Sequence, residues 1–213
     1  MLRFLKSLSR TVHEERCQDP EPRPNNGDGD GDGPTSLTVW RKSLFVGCSG
    51  FTVINSDGDL VYRVDNYGGR RQQEVVLMDA SGKPILTIFR SKQKLNLVDN
   101  WLVFEGDISS KKQKPIYRAR KDMDFLRAKV KRLARFYRVP YDETLGYVIE
   151  GSYVNRSCKV LDESGNIVAE IRRKESVTKG VSLGLEVFDL IVNQGFDSSL
   201  AMSIVLLLDQ MFL

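Results

Sequence analysis

Residues 196–213 read FDSSLAMSIVLLLDQMFL, and this stretch constrains the rest of the chain most strongly. Asp197 and the serines after it are typical helix N-cap residues, and Leu200–Leu208 is apolar on every face of a helix. A helix that is hydrophobic all round must be buried on all sides. Extended from Ser199 to Phe212 it is roughly 21 Å long, whereas a bilayer core needs about 30 Å. We therefore expect a buried helix and not a membrane span.

The chain ahead of this helix is patterned as β-strands from Ser36 onward. Its clearest feature is a repeated hairpin signature, which covers Val53–Val64, Leu77–Ile88 and Val160–Ile171. In each copy an Asn or Asp precedes a Gly by three residues and supplies a side-chain acceptor for the turn, while the Gly takes the positive-φ position. We expect each copy to form strand, turn and strand.

Other segments bring the count to about a dozen short strands, which is typical of a sandwich or barrel. These further candidates are Leu37–Trp40, Leu44–Gly47, Leu95–Val98, Trp101–Glu105, Pro115–Arg120, Tyr147–Tyr153 and Leu185–Val192. Phe125–Tyr137 fits either a basic amphipathic helix or a strand. A closed barrel threaded by the apolar helix would bury that helix and leave no sheet edge exposed.

Composition excludes several kinds of active site. Among 213 residues the only histidine is His13, near the N-terminus, so no imidazole base is available for a Ser-His-Asp or Cys-His nucleophile. The 3 cysteines form no CxxC pair, which argues against a metal site or a disulfide framework and favours an intracellular location. Asp57 and Asp59 lie in a predicted turn that is open to solvent, which argues against their use as a catalytic acid–base pair. We expect neither an enzyme nor a bound cofactor or metal.

The first 35 residues differ from the remainder. Gln18–Pro34 has no apolar residue and is rich in Pro, Asp and Gly, so residues 1–35 are expected to be a disordered tail ahead of a barrel domain at 36–213. Arg3, Lys6 and Arg10 make its beginning basic. That beginning is either a frayed terminus or a short targeting or membrane-surface segment. The expected location is cytoplasmic or nuclear, with peripheral membrane association as an open alternative.

Four motifs carry a resemblance to a known family: Gly50–Gly58, Val75–Ile88, Glu150–Tyr153 and the helix Ser199–Asp209. Together they resemble the plant LURP-one-related family over nearly all of the chain after residue 35. The resemblance implies a tubby-like fold, shared with phospholipid scramblases, in which twelve strands form a barrel around a central hydrophobic helix. It also implies that Phe125–Tyr137 is a strand. The family has no established enzymatic activity and is linked to plant defence.

By analogy with tubby proteins, the resemblance further suggests membrane-tethered regulators that bind phosphoinositides through basic side chains, although a fold does not fix a function. One segment of this sequence has the charge for such a role. Between Lys111 and Arg138 there are twelve Lys and Arg residues, opposed only by Asp122 and Asp124, whereas the whole chain has a net charge of +4.

The candidate anion-binding residues in this segment are Lys111, Lys112, Lys114, Arg118, Arg120, Lys121, Arg127, Lys129, Lys131 and Arg132. Three interpretations remain open. The segment binds an anionic phospholipid or phosphoinositide surface, it binds nucleic acid, or it is a solvated outer face that keeps sheet edges from pairing. No nucleic-acid-binding motif accompanies the charge, and the sequence indicates no particular protein partner.

Overall fold

The structure is a computed structural model that describes residues 33–66, 74–91, 100–108, 113–122, 132–139, 144–174 and 184–213. Twelve β-strands precede one α-helix in these residues. The strands are β1 (Thr35–Trp40), β2 (Ser49–Ile54), β3 (Leu60–Asn66), β4 (Glu74–Asp79), β5 (Pro84–Ser91), β6 (Asn100–Glu105), β7 (Tyr117–Lys121), β8 (Arg132–Arg138), β9 (Leu145–Ser152), β10 (Ser157–Leu161), β11 (Ile167–Arg173) and β12 (Val187–Val192), and the helix is α1 (Ser198–Phe212).

All twelve strands form one closed antiparallel barrel. Each strand pairs with the next along the chain, and β1 closes the ring by pairing with β12 in a register that runs from Thr35 opposite Val192 to Trp40 opposite Val187. The predicted barrel is therefore confirmed. The predicted strand at Phe125–Tyr137 is confirmed from Arg132 onward, where β8 begins, and its earlier part lies outside the described residues.

Helix α1 lies inside the barrel, as its all-round apolar sequence predicted. Every residue from Leu200 to Leu208 is buried, and inward-facing strand residues such as Ile88 and Ile149 belong to the same core. The polar exception is Ser203, whose hydroxyl donates to the Leu200 carbonyl oxygen at 2.7 Å. Among the described residues no helix has the length and apolarity that a membrane crossing requires.

The three repeated hairpins are confirmed and share one turn geometry. In the third copy the Asp162 carboxylate accepts hydrogen bonds from the amides of Ser164 and Asn166 at 2.9 and 2.8 Å, and Gly165 has a φ of 82°. Asn55 and Asp79 hold the corresponding position in the other copies. Since all of these bonds span four residues or fewer, local sequence is enough to specify the turn.

One predicted strand is wrong. Leu44–Gly47 is part of the connection between β1 and β2, and Val46 is 104% exposed. The alternation of apolar residues resembled a strand, but β2 begins only at Ser49 and no neighbouring strand pairs with the connection. Leu95–Val98 and residues 1–32 of the predicted tail (1–35) lie outside the described residues, and β1 begins at Thr35, the last residue assigned to that tail.

Replacing a helix side chain at the centre of the barrel should destabilise the fold strongly. Leu207 is 0% exposed, so Leu207→Ala leaves a cavity that the closed ring of strands cannot collapse to fill. We expect the unfolding free energy to fall by about 2–5 kcal/mol. Leu213 is 61% exposed, and Leu213→Ala should change the free energy by less than about 0.5 kcal/mol. Guanidinium unfolding of both variants measures the difference; equal losses would contradict an enclosed helix.

The third hairpin turn should depend on pH. Hydrogen bonds from the Asn166 amide and side chain lower the pKa of Asp162 below its ordinary value of 3.8. The stabilisation is therefore present above pH 3.8 and is lost as the pH falls through the lowered pKa. Asp162→Ala should lower the unfolding midpoint at pH 7, and this difference from wild type should shrink on acidification. A difference that stays constant from pH 7 to pH 3 would contradict the role of the carboxylate.

Candidate functional site

Part of the basic segment forms a cationic patch on the outer face of the barrel. Ala119 of β7 is fully buried, so its neighbours Arg118 and Arg120 face outward. In the register with β8, Arg120 lies directly opposite Arg135. We call Arg118, Arg120, Arg132 and Arg135 the basic wall.

Several of these guanidinium groups already have partners within the protein. Arg120 donates from Nε to the Asn100 side-chain oxygen at 3.0 Å, and its guanidinium carbon lies 5.7 Å from the centroid of the Tyr137 ring. Arg135 lies 2.9 Å from a carboxylate oxygen of Asp122, and Arg132 lies 3.5 Å from a carboxylate oxygen of Glu150. The two ion pairs reduce the net charge of the wall.

The structure separates the remaining candidates from the wall. The side chain of Lys121 turns toward the helix, where its Nζ donates to the Met211 carbonyl oxygen at 2.9 Å and lies 4.3 Å from the centroid of the Phe212 ring. Lys114 is exposed in the connection between β6 and β7, at the opposite end of β7. Five candidates fall outside the described residues: Lys111, Lys112, Arg127, Lys129 and Lys131.

The two ends of the barrel differ in charge. We call the end where α1 begins the entry end and the end where α1 finishes the exit end. The described residues of the connections at the exit end (41–48, 122, 153–156, 174 and 184–186) include four Lys and Arg against two Asp and Glu. The described residues of the connections at the entry end (55–59, 80–83, 106–108, 113–116, 139, 144, 162–166 and 193–197) include two Lys against six Asp and Glu.

The exit end also differs in its apolar surface. All seven large hydrophobic residues that are exposed in the described part of the chain lie there: Trp40, Leu44, Phe45, Val46, Val154, Leu185 and Leu213. Sequence reasoning missed this cluster because its members come from four separate segments and from the end of a strand. The exit end thus combines cationic and apolar surface.

An ionic cluster fastens the helix to this end. Arg41 donates from Nε to the Asp209 carboxylate at 2.8 Å, and the Tyr153 hydroxyl donates to the same oxygen at 3.2 Å. The hydrogen bond to Asp209 raises the pKa of Arg41, and burial raises the pKa of Tyr153. Because Tyr153 is held as a neutral phenol and Asp209 is occupied by two donors, this cluster is suited to fixing the helix and not to acid–base chemistry.

Arg156 is a buried cation beside that cluster. It is 2% exposed, donates from Nε to the Leu185 carbonyl oxygen at 2.8 Å, and lies 4.3 and 4.5 Å from the ring centroids of Tyr153 and Phe188. Cation–π interaction with the two aromatic faces stabilises the buried guanidinium charge in place of water. In the sequence Arg156 follows Asn155 in a polar turn and gives no signal that it is buried.

Comparisons with known proteins agree with the fold and with the resemblance in the sequence. The family model described as LURP-one-related matches residues 35–209. From Arabidopsis thaliana, the protein LURP-one-related 17 is 47% identical over all of both chains, and LURP-one-related 8 is 47% identical over 83% of this chain and 86% of its own. An X-ray structure of an Arabidopsis thaliana protein, 22% identical, superposes with a TM-score of 0.59 over 84% of this chain and 91% of that chain.

The position of Lys121 predicts a structural role. Helix α1 has no basic residue in its last turn, so Lys121 supplies the cation that stabilises its C-terminal carbonyl groups. Lys121→Met should lower the unfolding free energy by about 1 kcal/mol, while Lys114→Met at an exposed position should leave it unchanged. Chemical denaturation of both variants tests this expectation; the same midpoint for both would show that Lys121 does not support the helix.

Proposed function

The chain belongs to the LURP-one-related family, and from that premise we propose that it is a non-enzymatic binding protein that docks on anionic phospholipid surfaces through the basic wall. Its proposed setting is either plant defence signalling or the action of a membrane-tethered regulator. The names of the matching family and relatives designate no enzyme. The barrel interior is filled by α1, which leaves the outer surface as the place for a binding function.

The observation that carries this proposal is the direct juxtaposition of Arg120 and Arg135 on neighbouring strands. Like charges directly opposite each other in an antiparallel pair destabilise the sheet. The Asp122 carboxylate, 2.9 Å from Arg135, relieves part of that repulsion, and an external anion beside Arg120 would relieve more of it. The guanidinium fork is suited to two-point recognition of phosphate. Arg118 on the same face adds a third cation to this arrangement.

The expected binding is weak and sensitive to salt. A Lys or Arg close to an anionic leaflet contributes on the order of 1 kcal/mol, and this contribution falls off within a Debye length. Because Arg132 and Arg135 are already paired with carboxylates, they contribute less than this to the attraction between the wall and the leaflet. The wall would therefore favour reversible attachment, as a peripheral regulator requires.

Neutralising two arginines of the wall should weaken attachment. We expect Arg118→Gln with Arg120→Gln to lower co-sedimentation of the full chain with phosphatidylserine and phosphoinositide vesicles on the order of tenfold, because two cationic contributions are removed. Phosphatidylcholine vesicles should bind neither protein. Raising the salt concentration should reduce wild-type binding more than binding of the variant.

A matched control removes the same charge elsewhere. Lys83 in the β4–β5 turn and Lys159 on β10 are both exposed, and Lys83→Gln with Lys159→Gln should retain nearly all of the wild-type binding. Equal losses in the two double variants would show that only net charge matters and would overturn the assignment of the wall. Salt-sensitive binding to single-stranded nucleic acid without any vesicle binding would overturn the phospholipid proposal itself.

A further inference from the structure

We propose that Leu44, Phe45 and Val46 form a membrane-insertion loop that enters the interfacial region of an anionic bilayer and turns the exit end of the barrel toward the membrane. This inference rests on the proposed function, to which it adds an apolar contact and an orientation. The loop is the connection between β1 and β2, where the sequence had predicted a strand.

The loop presents its apolar residues at the apex of a tight turn. The Cys48 amide donates to the Phe45 carbonyl oxygen at 3.2 Å, and Gly47 has a φ of 84°, which is the glycine position of a type II turn. Val46 is 104% exposed and Leu44 is 50% exposed. Turn apices are usually polar or occupied by Gly and Pro, and the fold gains no burial from apolar residues here.

Polar bonds at the base of the loop hold it in this outward position. The Ser43 hydroxyl accepts from the Phe45 amide at 3.0 Å and donates to the Asp65 carboxylate at 2.5 Å. On the other side the Thr52 hydroxyl donates to the Lys42 carbonyl oxygen at 2.7 Å. A loop that is fixed before binding loses little conformational freedom when it inserts.

Phe45 is held by a second contact at the base. The Arg63 guanidinium lies 5.4 Å from the centroid of the Phe45 ring, and Arg63 pairs with Asp65 at 3.3 Å. The Phe45 ring thus contacts Arg63 of the barrel, whereas the side chains of Leu44 and Val46 are more exposed to solvent. Leu44 and Val46 are therefore the side chains whose replacement tests insertion with the least disturbance of the fold.

The surroundings of the loop indicate an anionic bilayer as the occupant. Trp40 is 44% exposed next to the loop, and the Lys42 ammonium group lies 5.2 Å from the centroid of its ring. An exposed Trp beside a cation and apolar side chains is typical of proteins at the membrane interface, where the indole sits among headgroups. In the described exit-end connections Lys and Arg outnumber Asp and Glu by four to two, and this positive charge complements anionic headgroups.

The basic wall is compatible with the same orientation. Arg120 precedes the last residue of β7 and Arg132 is the first residue of β8, so both lie where these strands reach the exit end. Around the ring of strands, β7 and β8 are on the opposite side of the barrel from β1 and β2. A membrane facing the exit end would meet cations on one side and the insertion loop on the other.

Native tryptophan fluorescence reports insertion directly. Of the 2 tryptophans, Trp40 is exposed beside the loop whereas Trp101 is 2% exposed inside the barrel. With the full chain and phosphatidylserine vesicles that contain brominated phosphatidylcholine, we expect quenching of the emission. At lipid concentrations that bind all of the Trp40→Phe variant, its remaining emission from buried Trp101 should show no quenching, whatever the variant's affinity. Wild-type protein that binds without any quenching would overturn insertion.

Two double variants of equal charge test the loop itself. Leu44→Asp with Val46→Asp should weaken binding to phosphatidylserine vesicles at least tenfold, because it removes apolar contact and adds repulsion at the interface. Ser56→Asp with Ala80→Asp adds the same charge at exposed turn positions of the entry end and should change binding less than twofold. Equal thermal melting midpoints of the variants and wild type establish that each is folded.

The outcomes separate the two proposals. Salt-sensitive vesicle binding by wild type, together with loop and control variants that bind alike, overturns insertion and leaves docking through the wall. Absence of wild-type binding to every anionic vesicle overturns docking and insertion together. Loss of binding in the loop variant alone, with quenching in wild type, supports the insertion loop and the orientation that it implies.

Discussion

Burial of an all-round apolar helix is the constraint on which the rest of this structure depends. Helix α1 has no polar stripe, so no single sheet or pair of helices can cover it, and it must be enclosed. Twelve strands closed into one ring provide that enclosure, and they leave no unpaired sheet edge. Each strand needs only a narrow inward row of apolar residues, which is why short strands suffice.

Enclosing the helix leaves its polar ends to be satisfied by the barrel. At the entry end Asp197 caps the first turn by accepting hydrogen bonds from the amides of Ser199 and Leu200. At the exit end the helix has no basic residue of its own in the last turn, and Lys121 from β7 supplies the cation. Arg41 and Tyr153 donate hydrogen bonds to Asp209, about one turn before the end of the helix. These side-chain contacts fix α1 to the strands and connections of the barrel.

Because α1 fills the interior of the barrel, the proposed binding function would use the outer surface of the molecule. With the interior occupied, the proposed binding function relies on two outer features of the described residues: the basic wall, and the exit end with its exposed large apolar side chains. The described connections at the entry end are acidic, with two Lys against six Asp and Glu. Because the two ends of the barrel differ in charge, one orientation of the protein at a charged surface would be more favourable than the other. A uniformly charged barrel would have no such preference.

The sequence by itself determined the features that depend on neighbours along the chain. The three hairpins follow from bonds within four residues, such as those of Asp162, and the buried helix follows from a composition without a polar face. The resemblance carried by motifs such as Val75–Ile88 then indicated closure into twelve strands. The hairpins and the helix are encoded locally, so their prediction needed no knowledge of distant partners, whereas closure of the barrel was implied only by the resemblance.

Only the tertiary structure determined whether each charged or apolar side chain lies on the inner or the outer face of the barrel. Lys121 and Arg120 are adjacent in one basic run, yet strand alternation places one against the helix end and the other on the outer face. Leu44–Gly47 has the pattern of a strand, but without a pairing partner it is an exposed loop. Arg41 and Asp209 meet across 168 positions of sequence because the non-local pairing of β1 with β12 brings the first strand of the barrel beside the last.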